Sequence, residues 1–426
     1  MKRREPDTQT PLLARLLQEV LALLEQQDQG TRGGDLVQAL VQDAHRERAS
    51  DIHLDPDSSG YRLQFRIDGV IVPVLSLPKD QGTRLVRSLK SLADLEPAAA
   101  RVPRDGRAHV MLGDRSLGLR VATAPAVSGE KLAVRLLPHE LFHLGLDELG
   151  LSPQDYALVC QSLQDARGMI LLSGPTGSGK TTALYALLHE LRDTGRSIVT
   201  IEDPVEYIID GITQIQVQKR QGLTFAEGAR GILRLDPDAI LMGELREAES
   251  ARVALDIADT GHLFLSSLHA RDAVATISAL RNFGLADFEI AASVDLIIAE
   301  RLVRRLCRKC RRLERTDDWE SRWLEQLGQP VPKECWHAVG CPECSRTGYR
   351  GRIGIFEVWR LNEEEADLIL RHTDEHTLRR RLRKRGMSSL LEDDLAKVGE
   401  GVTTLAELRS VGGFGFYDAP GNRHDG

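Results

Sequence analysis

The first hydrophobic pattern along the chain is a leucine-rich segment with helical spacing. Its apolar positions recur every three or four residues, at Leu12, Leu13, Leu16, Leu17, Val20, Leu21 and Leu24. A polar stretch that contains glycine follows from Gln26 to Gly34, which is typical of a linker. The pattern predicts an N-terminal amphipathic helix and linker over residues 1–35. Such a helix can dock on a membrane protein or a bilayer surface, and an ordinary packed helix fits the pattern equally well.

A second pattern, over residues 36–138, mixes one helix with alternating strands. Leu36, Leu40 and Ala44 have helical spacing, whereas residues 61–67 alternate strictly between apolar and polar side chains. Asp68-Gly69 is a hairpin signal, and Gly113-Asp114 marks a second turn before another alternating segment. We therefore predict a small α+β domain here.

Four short apolar runs, separated by helical or mixed stretches, follow after Pro138. They are residues 169–172, 198–201, 239–242 and 263–266. Such spacing predicts an α/β core over residues 139–300, with a parallel sheet covered by helices. Each run is followed by glycine or polar residues, and ligands of open α/β sheets bind at that edge. A ligand site is therefore expected where these strands end.

The most specific motif lies after the first of these runs. The segment has the spacing of a P-loop between a strand and a helix, and its expected nucleotide-binding residues are Gly174, Pro175, Thr176, Gly177, Ser178, Gly179, Lys180, Thr181 and Thr182. Backbone N–H groups of such a loop cradle phosphates, Lys180 reaches the β- and γ-phosphates of ATP, and Thr181 binds Mg²⁺. The alternative, a glycine-rich turn that only packs a strand on a helix, does not account for Lys-Thr at this position.

Candidate catalytic side chains follow the other strands. Glu244 stands directly after the run 239–242, where a Walker B acid belongs, and is assigned to Mg²⁺ and the attacking water. Glu202, Asp203 and Glu206 form a second acidic cluster. His269 follows the last run and either senses the γ-phosphate or a neighbouring subunit, or merely hydrogen-bonds a backbone carbonyl.

Composition narrows the functional classes. The chain has 426 residues with 56 basic against 63 acidic side chains, so no global positive field draws it to nucleic acid. Its start is polar, and no stretch approaches the roughly 18 apolar residues of a membrane span. We therefore expect a cytosolic protein or one peripheral to a membrane.

Four of the six cysteines form two CxxC pairs, Cys307 with Cys310 and Cys341 with Cys344. Four thiolates in two such pairs suit a tetrahedral structural Zn²⁺, with free buried thiols as the alternative. Cys335 and His337 lie between the pairs and could replace a ligand, whereas Cys160 is expected in a core. We expect a zinc-binding module over residues 301–352, and a helical region with a tail over residues 353–426.

The order of motifs resembles the type II secretion and type IV pilus assembly ATPases. The resemblance spans about residues 36–408, and it rests on Ala49-Ser50-Asp51-Ile52-His53, Phe65-Arg66-Ile67-Asp68-Gly69, residues 101–107, the P-loop, residues 201–207, Gly243-Glu244 and residues 260–269. It implies a RecA-like P-loop ATPase core.

The same resemblance implies roles for individual residues. Lys180 and Thr181 match the nucleotide and metal contacts, Glu244 the Walker B glutamate, Glu202 and Glu206 the aspartate-box acids, and His262 and His269 the histidine-box residues. Which glutamate acts as the base stays open. The family forms rings of six subunits in which N-terminal-domain arginines reach nucleotide. Arg107 and Arg120 are the positional candidates, and pairing with carboxylates is the alternative.

These features predict an ATP-hydrolysing motor, a homohexamer with ATP, Mg²⁺ and structural Zn²⁺, that powers assembly of pilin-like fibres in secretion or piliation. The resemblance places it in the cytoplasm, peripheral to the inner face of the membrane, with a platform or docking protein as partner. The tetracysteine module favours assembly, because retraction motors of this class generally lack it. The rival is a P-loop nucleic-acid translocase with a zinc ribbon. Aromatic residues are only 4% and offer no stacking platform, so no specific nucleic acid is expected.

Overall fold

The structure, a computed structural model, describes residues 16, 18, 19, 33–98, 101–137 and 144–411. The predicted N-terminal amphipathic helix therefore lies almost wholly outside the described residues. The chain divides into two compact units, Met1–His139 and Glu140–Gly426. No helix in the described ranges combines the length and the apolar character that a membrane span requires.

The first unit is built on an antiparallel sheet. Its elements are α1 (Gly33–Arg46), β1 (Ala49–Pro56), β2 (Gly60–Ile67), β3 (Val70–Pro78), α2 (Lys79–Leu92), β4 (Arg104–Leu112), β5 (Arg115–Ala126) and β6 (Gly129–Leu137). The strands are ordered β3-β2-β1-β6-β5-β4. Both predicted hairpins are present, β2–β3 and β4–β5. At the first turn Asp68 and Gly69 have φ values of 50° and 88°, as a two-residue hairpin turn requires.

Side-chain alternation explains how this sheet is covered. In β5, Leu117, Leu119 and Val121 are buried and join the same apolar cluster as Leu36 and Leu40 of α1. The intervening side chains of β5 face the other way, so one face of the sheet carries helices and the other is polar.

The second unit contains the predicted parallel sheet. Its elements are α3 (Pro153–Asp165), β7 (Gly168–Ser173), α4 (Lys180–Arg192), β8 (Ile198–Glu202), β9 (Thr213–Gln216), α5 (Phe225–Ile232), β10 (Ala239–Met242), α6 (Ala248–Asp259), β11 (Leu263–Leu268), α7 (Ala273–Asn282), α8 (Asp287–Ser293), β12 (Val294–Leu306), β13 (Arg312–Arg315), α9 (Asp318–Gln326), β14 (Glu334–His337), β15 (Tyr349–Arg360), α10 (Glu363–Leu370), α11 (Glu375–Lys384), α12 (Leu390–Gly399) and α13 (Leu405–Val411).

The sheet order is β15-β12-β7-β11-β10-β8-β9. All neighbours are parallel except β12 and β15, which are antiparallel. The four predicted apolar runs are β7, β8, β10 and β11, and they are buried on both faces by apolar clusters. The predicted fold, an α/β core with a small α+β domain and C-terminal helices, is confirmed.

The boundaries expected at 300/301 and 352/353 need correction. Both fall inside strands of the core sheet, because β12 spans Val294–Leu306 and β15 spans Tyr349–Arg360. The two strands pair from Leu296 with Arg360 to Leu306 with Tyr349, and they carry the cysteine module at their far end. The arginine-rich half of β12 hides its strand character in the sequence, since only residues 296–299 are uniformly apolar.

Candidate nucleotide site and cysteine cluster

The P-loop connects the end of β7 at Ser173 to the start of α4 at Lys180. Gly177 and Gly179 have φ values of 80° and 110°, a region that L side chains rarely adopt. A Cβ at Gly174 would lie 2.4 Å from Ser178 Oγ, so the loop is also too tight for any side chain there. The sequence thus folds into a loop whose backbone leads directly into a helix N-terminus, where anions bind favourably.

A cavity of about 430 Å³ opens over this loop. The predicted site residues that line it are Thr176, Gly177, Ser178, Gly179, Lys180, Thr181, Thr182, Glu202, Glu206, Glu244 and His269. The fold therefore brings side chains from four parallel strand ends to one place. Ser178 is 4% exposed, and its hydroxyl has no hydrogen-bond partner among the residues that the structure describes. A buried unpaired donor beside a helix N-terminus and a lysine suits an anionic phosphate.

Lys180 is held against the loop itself. Its Nζ donates to the carbonyl oxygens of Gly174 at 2.7 Å and Pro175 at 3.0 Å. Burial lowers the pKa of Lys180, and the nearby carboxyl groups of Glu300 and Glu244 oppose that shift. Its ammonium group is therefore preoriented at the mouth of the loop and can exchange carbonyl contacts for phosphate oxygens.

Glu244 and His269 face each other across the cavity. The Glu244 carboxylate forms an ion pair with Arg246, and its Oε2 lies 4.0 Å from His269 Nε2. His269 Nδ1 lies 3.2 Å from the carbonyl oxygen of Gly174. One ring nitrogen thus contacts a backbone carbonyl, as one of the two expectations for this histidine has it, while the other nitrogen faces the acid. A role in sensing the γ-phosphate or a neighbouring subunit stays a prediction. The ring links the ends of β10 and β11 to the start of the P-loop.

Glu202 lies in a different environment from Glu244. It is 4% exposed, and Thr200 Oγ1 and Gln214 Nε2 donate to its Oε1 at 2.6 and 3.1 Å. The hydroxyl of Tyr185, from α4, donates to Oε2. Burial, with Glu202 adding to it, raises the pKa of Tyr185, so this hydroxyl stays protonated and remains a donor. Because both oxygens of Glu202 already accept hydrogen bonds, this carboxylate is suited to positioning the surrounding chain rather than to accepting a proton from water.

The remaining expected residues differ in their placement. Glu206 lines the cavity, and its backbone N–H donates to Tyr185 Oη at 3.2 Å. Asp203 pairs with Lys219 at 3.1 Å. His262 precedes β11 and is bonded to Thr260 Oγ1 at 2.8 Å. It therefore lies at the opposite end of β11 from His269 and is not among the residues that line the cavity.

Arg107 and Arg120 belong to the first unit. They are directly opposite each other on β4 and β5, and Arg120 is in turn opposite Arg135 on β6. All three are exposed. Within the described part of the chain neither Arg107 nor Arg120 forms an ion pair, whereas Arg135 Nε bonds Asp51 Oδ1 at 3.0 Å. Like charges directly opposite each other in a sheet repel, so this arginine row favours an anionic partner.

Sequence reasoning missed several residues of the site. Arg246, Arg352 and the buried Tyr185 line the cavity, and the buried Glu300 lies against Gly174 and Gly179 of the P-loop. Tyr185 could have been found, because it follows Thr181 by one helical turn on the same face of α4. Arg352 and Glu300 carry no such signal. They reach the site only because β12 and β15 extend the sheet next to β7.

The two CxxC pairs meet in space. Among the described residues their sulfur atoms form a cluster within 4.8 Å of one another. Three separations are 3.8 Å (Cys307 to Cys341), 3.8 Å (Cys310 to Cys344) and 3.7 Å (Cys341 to Cys344). Four sulfurs bound tetrahedrally about 2.3 Å from a zinc ion lie about 3.8 Å apart, so the cluster fits zinc. Cys344 Sγ also accepts N–H groups of Cys341 and Gly348 at 3.1 and 3.2 Å, as a thiolate ligand does.

The other candidate ligands lie elsewhere. Cys335 is buried in a separate apolar cluster, with Thr316 Oγ1 3.3 Å from its sulfur. His337 Nε2 lies 3.7 Å from Glu320 Oε2. Neither belongs to the four-sulfur group, so the structure does not support either as a replacement ligand. Cys160 is half-buried and packs against an apolar cluster of the core.

The chain is similar to known proteins in sequence and in fold. The family model described as "Type II/IV secretion system protein" matches residues 25–410. "Type II secretion system protein E" of Pseudomonas aeruginosa is 40% identical over 94% of this chain and 79% of its own length. "Type IV pilus assembly ATPase PilB" of Acinetobacter baylyi is 39% identical over 88% of this chain and 65% of its own length. The solved structure of the Legionella pneumophila ATPase DotB has a TM-score of 0.65 at 20% identity, covering 88% of this chain and 94% of that one, which supports the fold.

Proposed function

The chain belongs to the type II/IV secretion system protein family and is an ATPase of that family, and from this premise we propose that it is a motor that assembles pilin-like fibres. The observation that carries the proposal is the cavity in which the P-loop, Glu244 and His269 converge. Relatives about 40% identical to this chain are named for type II secretion and for type IV pilus assembly. The proposed output is motion that adds pilin-like subunits to a fibre at each hydrolytic cycle.

The roles of the residues follow from their placement. We assign phosphate binding to the loop 174–182, with Lys180 on the β- and γ-phosphates. Thr181, at the first turn of α4, would hold Mg²⁺, which would neutralise phosphate charge. Glu244 would orient the attacking water and accept its proton, because its carboxylate faces the cavity and is only partly engaged. His269 would couple that carboxylate to the P-loop.

Glu202 and Glu206 take supporting roles in this proposal. The Tyr185 hydroxyl contacts the Glu202 carboxylate and the Glu206 backbone. It thereby ties the acidic segment after β8 to the helix that follows the P-loop. Glu202 would act as a positioning residue, whereas Glu206 lines the cavity and is the second candidate for contact with Mg²⁺ or water. Replacement of Glu202 should therefore disturb the site through geometry rather than remove its base.

We propose a ring of six subunits, as the family resemblance implies. Exposed arginines in a like-charged row need an anion, and a nucleotide bound by a neighbouring subunit would supply it. Arg107 and Arg120 would then stabilise the charge that develops on the phosphates. Zn²⁺ would be a structural ion at the four cysteines. We place the motor in the cytoplasm, peripheral to the inner face of the membrane, with a platform or docking protein as partner.

The central test is ATP turnover by purified chain carrying Lys180→Ala or Glu244→Gln. We expect both to lose turnover by a factor of about 100 or more, because each removes a group that acts on the phosphates or on water. Circular dichroism and melting temperature check folding. Glu190→Gln is the matched control, since Glu190 is exposed on the same helix as Lys180 and does not line the cavity. Undiminished turnover in the two variants would refute the site.

The nucleic-acid translocase is tested in the same assay. Turnover should not rise when single-stranded or double-stranded DNA is added, because the relatives are secretion and pilus assembly proteins and the chain carries a net charge of −7. Strong stimulation at physiological salt would favour the translocase instead.

A further inference from the structure

Glu300 lies directly beneath the P-loop, where the proposed function assigns it no role. It follows Ala299, which pairs with Ser173 at the end of β7, and its side chain is 2% exposed. A Cβ at Gly174 would lie 2.6 Å from the Glu300 backbone oxygen, and one at Gly179 would lie 2.1 Å from its Oε1. One residue therefore contacts both ends of the loop.

The carboxyl group has no adequate ionic partner. Its Oε2 is buried without a hydrogen bond, and no ion pair involves it within the described ranges. The charged groups that face it are Lys180 on α4, Arg352 on β15 and its neighbour Arg301. Lys180 Nζ bonds loop carbonyls instead, and Arg301 donates to the Glu300 backbone oxygen at 3.0 Å. A buried carboxylate without hydrogen bonds is strongly disfavoured.

Two protonation states have opposite effects on the loop. A neutral carboxyl fills the space under Gly179 and adds no charge to the phosphate site. An ionised carboxylate there would repel the phosphates across one glycine, in a buried environment that screens charge weakly. Burial raises the pKa of Glu300 to about 8, although Lys180, Arg352 and Arg301 pull it down. The group is therefore mainly neutral at pH 7.

We propose that Glu300 is a positioning residue for nucleotide binding, which supports the phosphate loop in its neutral form and opposes phosphate binding when ionised. The inference rests on the proposed nucleotide site and adds proton linkage to it. Bound phosphates disfavour the ionised form further, since like charges disfavour ionisation. Nucleotide binding at alkaline pH should therefore take up a proton at Glu300.

The test is the affinity for MgADP between pH 6.5 and 9.5, measured by calorimetry on the full chain. We expect the dissociation constant of the wild-type chain to rise by about ten-fold between pH 7 and pH 9, because ionised Glu300 must first be protonated. Glu300→Gln keeps the shape and stays neutral, so its dissociation constant should change much less over that range. Titration of the nucleotide is common to both chains and cancels in the comparison.

Glu357→Gln is the matched control. Glu357 is also buried, on β15, but its Oε1 accepts the N–H of Ala273 at 2.9 Å, at the start of α7. Burial and the nearby Asp272 raise the pKa of Glu357 to about 7, yet it does not line the nucleotide cavity. This variant should keep the wild-type pH profile for MgADP.

A second measurement needs no variant. Binding enthalpies of the wild-type chain in two buffers of different ionisation enthalpy give the protons taken up, which should peak above pH 8. Parallel pH profiles for wild type and Glu300→Gln, or no proton uptake, would overturn the inference about Glu300. Absence of MgADP binding at every pH would instead remove the proposed nucleotide site itself, so the two failures are distinguishable.

Discussion

At the scale of single residues, burial and hydrogen bonding decide what each acid can do. Glu244 is 19% exposed at its side chain and faces the cavity. Glu202 is buried but bonded at both oxygens. Glu300 and Asp394 are buried with unpaired oxygens. Carboxyl side chains thus differ in role with their surroundings. Glu244 is the catalytic candidate, Glu202 is a positioning group, and Glu300 and Asp394 resist ionisation.

Asp394 gives a pH-dependent prediction for stability. It is 0% exposed on α12, and neither of its oxygens has a hydrogen-bond partner in the described part of the chain. Burial raises its pKa to about 8, against the pull of Lys397, while Asp393 and Glu407 add to the rise. A carboxyl with a raised pKa in the folded state contributes stability at low pH that is lost as pH rises towards 8. Asp394→Asn should therefore be more stable than wild type at pH 8.5, by about 1 to 3 kcal/mol, and this difference should become smaller as the pH falls towards 5.

Melting temperatures across pH 5 to 8.5 check this difference. Asp393→Asn is the control, because Asp393 accepts the N–H of Phe356 at 2.7 Å and also bonds Lys397. Replacement of Asp393 should instead lower the melting temperature at pH 8.5, because it removes these bonds. If the stability difference between Asp394→Asn and wild type does not change with pH, Asp394 does not have a raised pKa in the folded chain.

At the scale of elements, the β12–β15 pair joins the cysteine module to the nucleotide site. Cys307 directly follows β12, and its N–H donates to the Gly348 carbonyl at 2.9 Å, just before β15. Leu306 N–H donates to Val402 O at 2.8 Å, which ties the same point to the helical region. At its midpoint, β12 places Glu300 against Gly174 and Gly179 of the P-loop. A metal at the cysteines would therefore fix the strand pair that borders the nucleotide cavity.

The cysteine cluster predicts a measurable metal content. Purified chain should contain about one zinc per subunit, since four thiolates complete a tetrahedral site. Cys341→Ser should lower that content and the melting temperature, because the ion would lose a ligand and the strand ends their cross-link. Elemental analysis and thermal melting measure both.

Cys335→Ser serves as the comparison for a general loss of cysteine. Cys335 lies in the apolar cluster with Leu324 and Leu327, outside the four-sulfur group. The Cys335→Ser chain should still contain about one zinc per subunit. Equal zinc loss in both variants would argue against the ligand set.

At the scale of the whole molecule, the chemistry is divided between two compact units. The second unit carries the P-loop and the acids, whereas the first presents the row of Arg107, Arg120 and Arg135. In the proposed ring, one subunit binds nucleotide and its neighbour supplies arginines. Motion between units would then accompany the cycle of binding and hydrolysis.

Mixing inactive variants tests whether the arginines act between subunits. We expect Lys180→Ala and the double variant Arg107→Ala with Arg120→Ala each to be nearly inactive. In mixed rings, a nucleotide site of the arginine variant can face intact arginines of a Lys180→Ala neighbour. With random 1:1 mixing this occurs at roughly one interface in four, so turnover should rise well above that of either parent.

Arg62→Ala is the control for loss of an exposed arginine in the same sheet. Arg62 pairs with Asp57 at 3.4 Å and lies outside the arginine row, so this variant should keep turnover near the wild-type rate. If the mixture is no more active than its parents, although mixed rings form, the arginines do not act in trans.

The sequence by itself determined the P-loop, the four buried strands, the hairpins and the cysteine pairs. These features are local, because each depends on turn chemistry or side-chain alternation within about ten residues. Only the tertiary structure decided that the Tyr185 hydroxyl donates a hydrogen bond to the Glu202 carboxylate, and that His262 does not line the cavity. The tertiary structure also decided that β12 and β15 extend the core sheet. It also placed Glu300 under Gly179. Such relations depend on which strands become neighbours, a long-range packing outcome that no short pattern encodes.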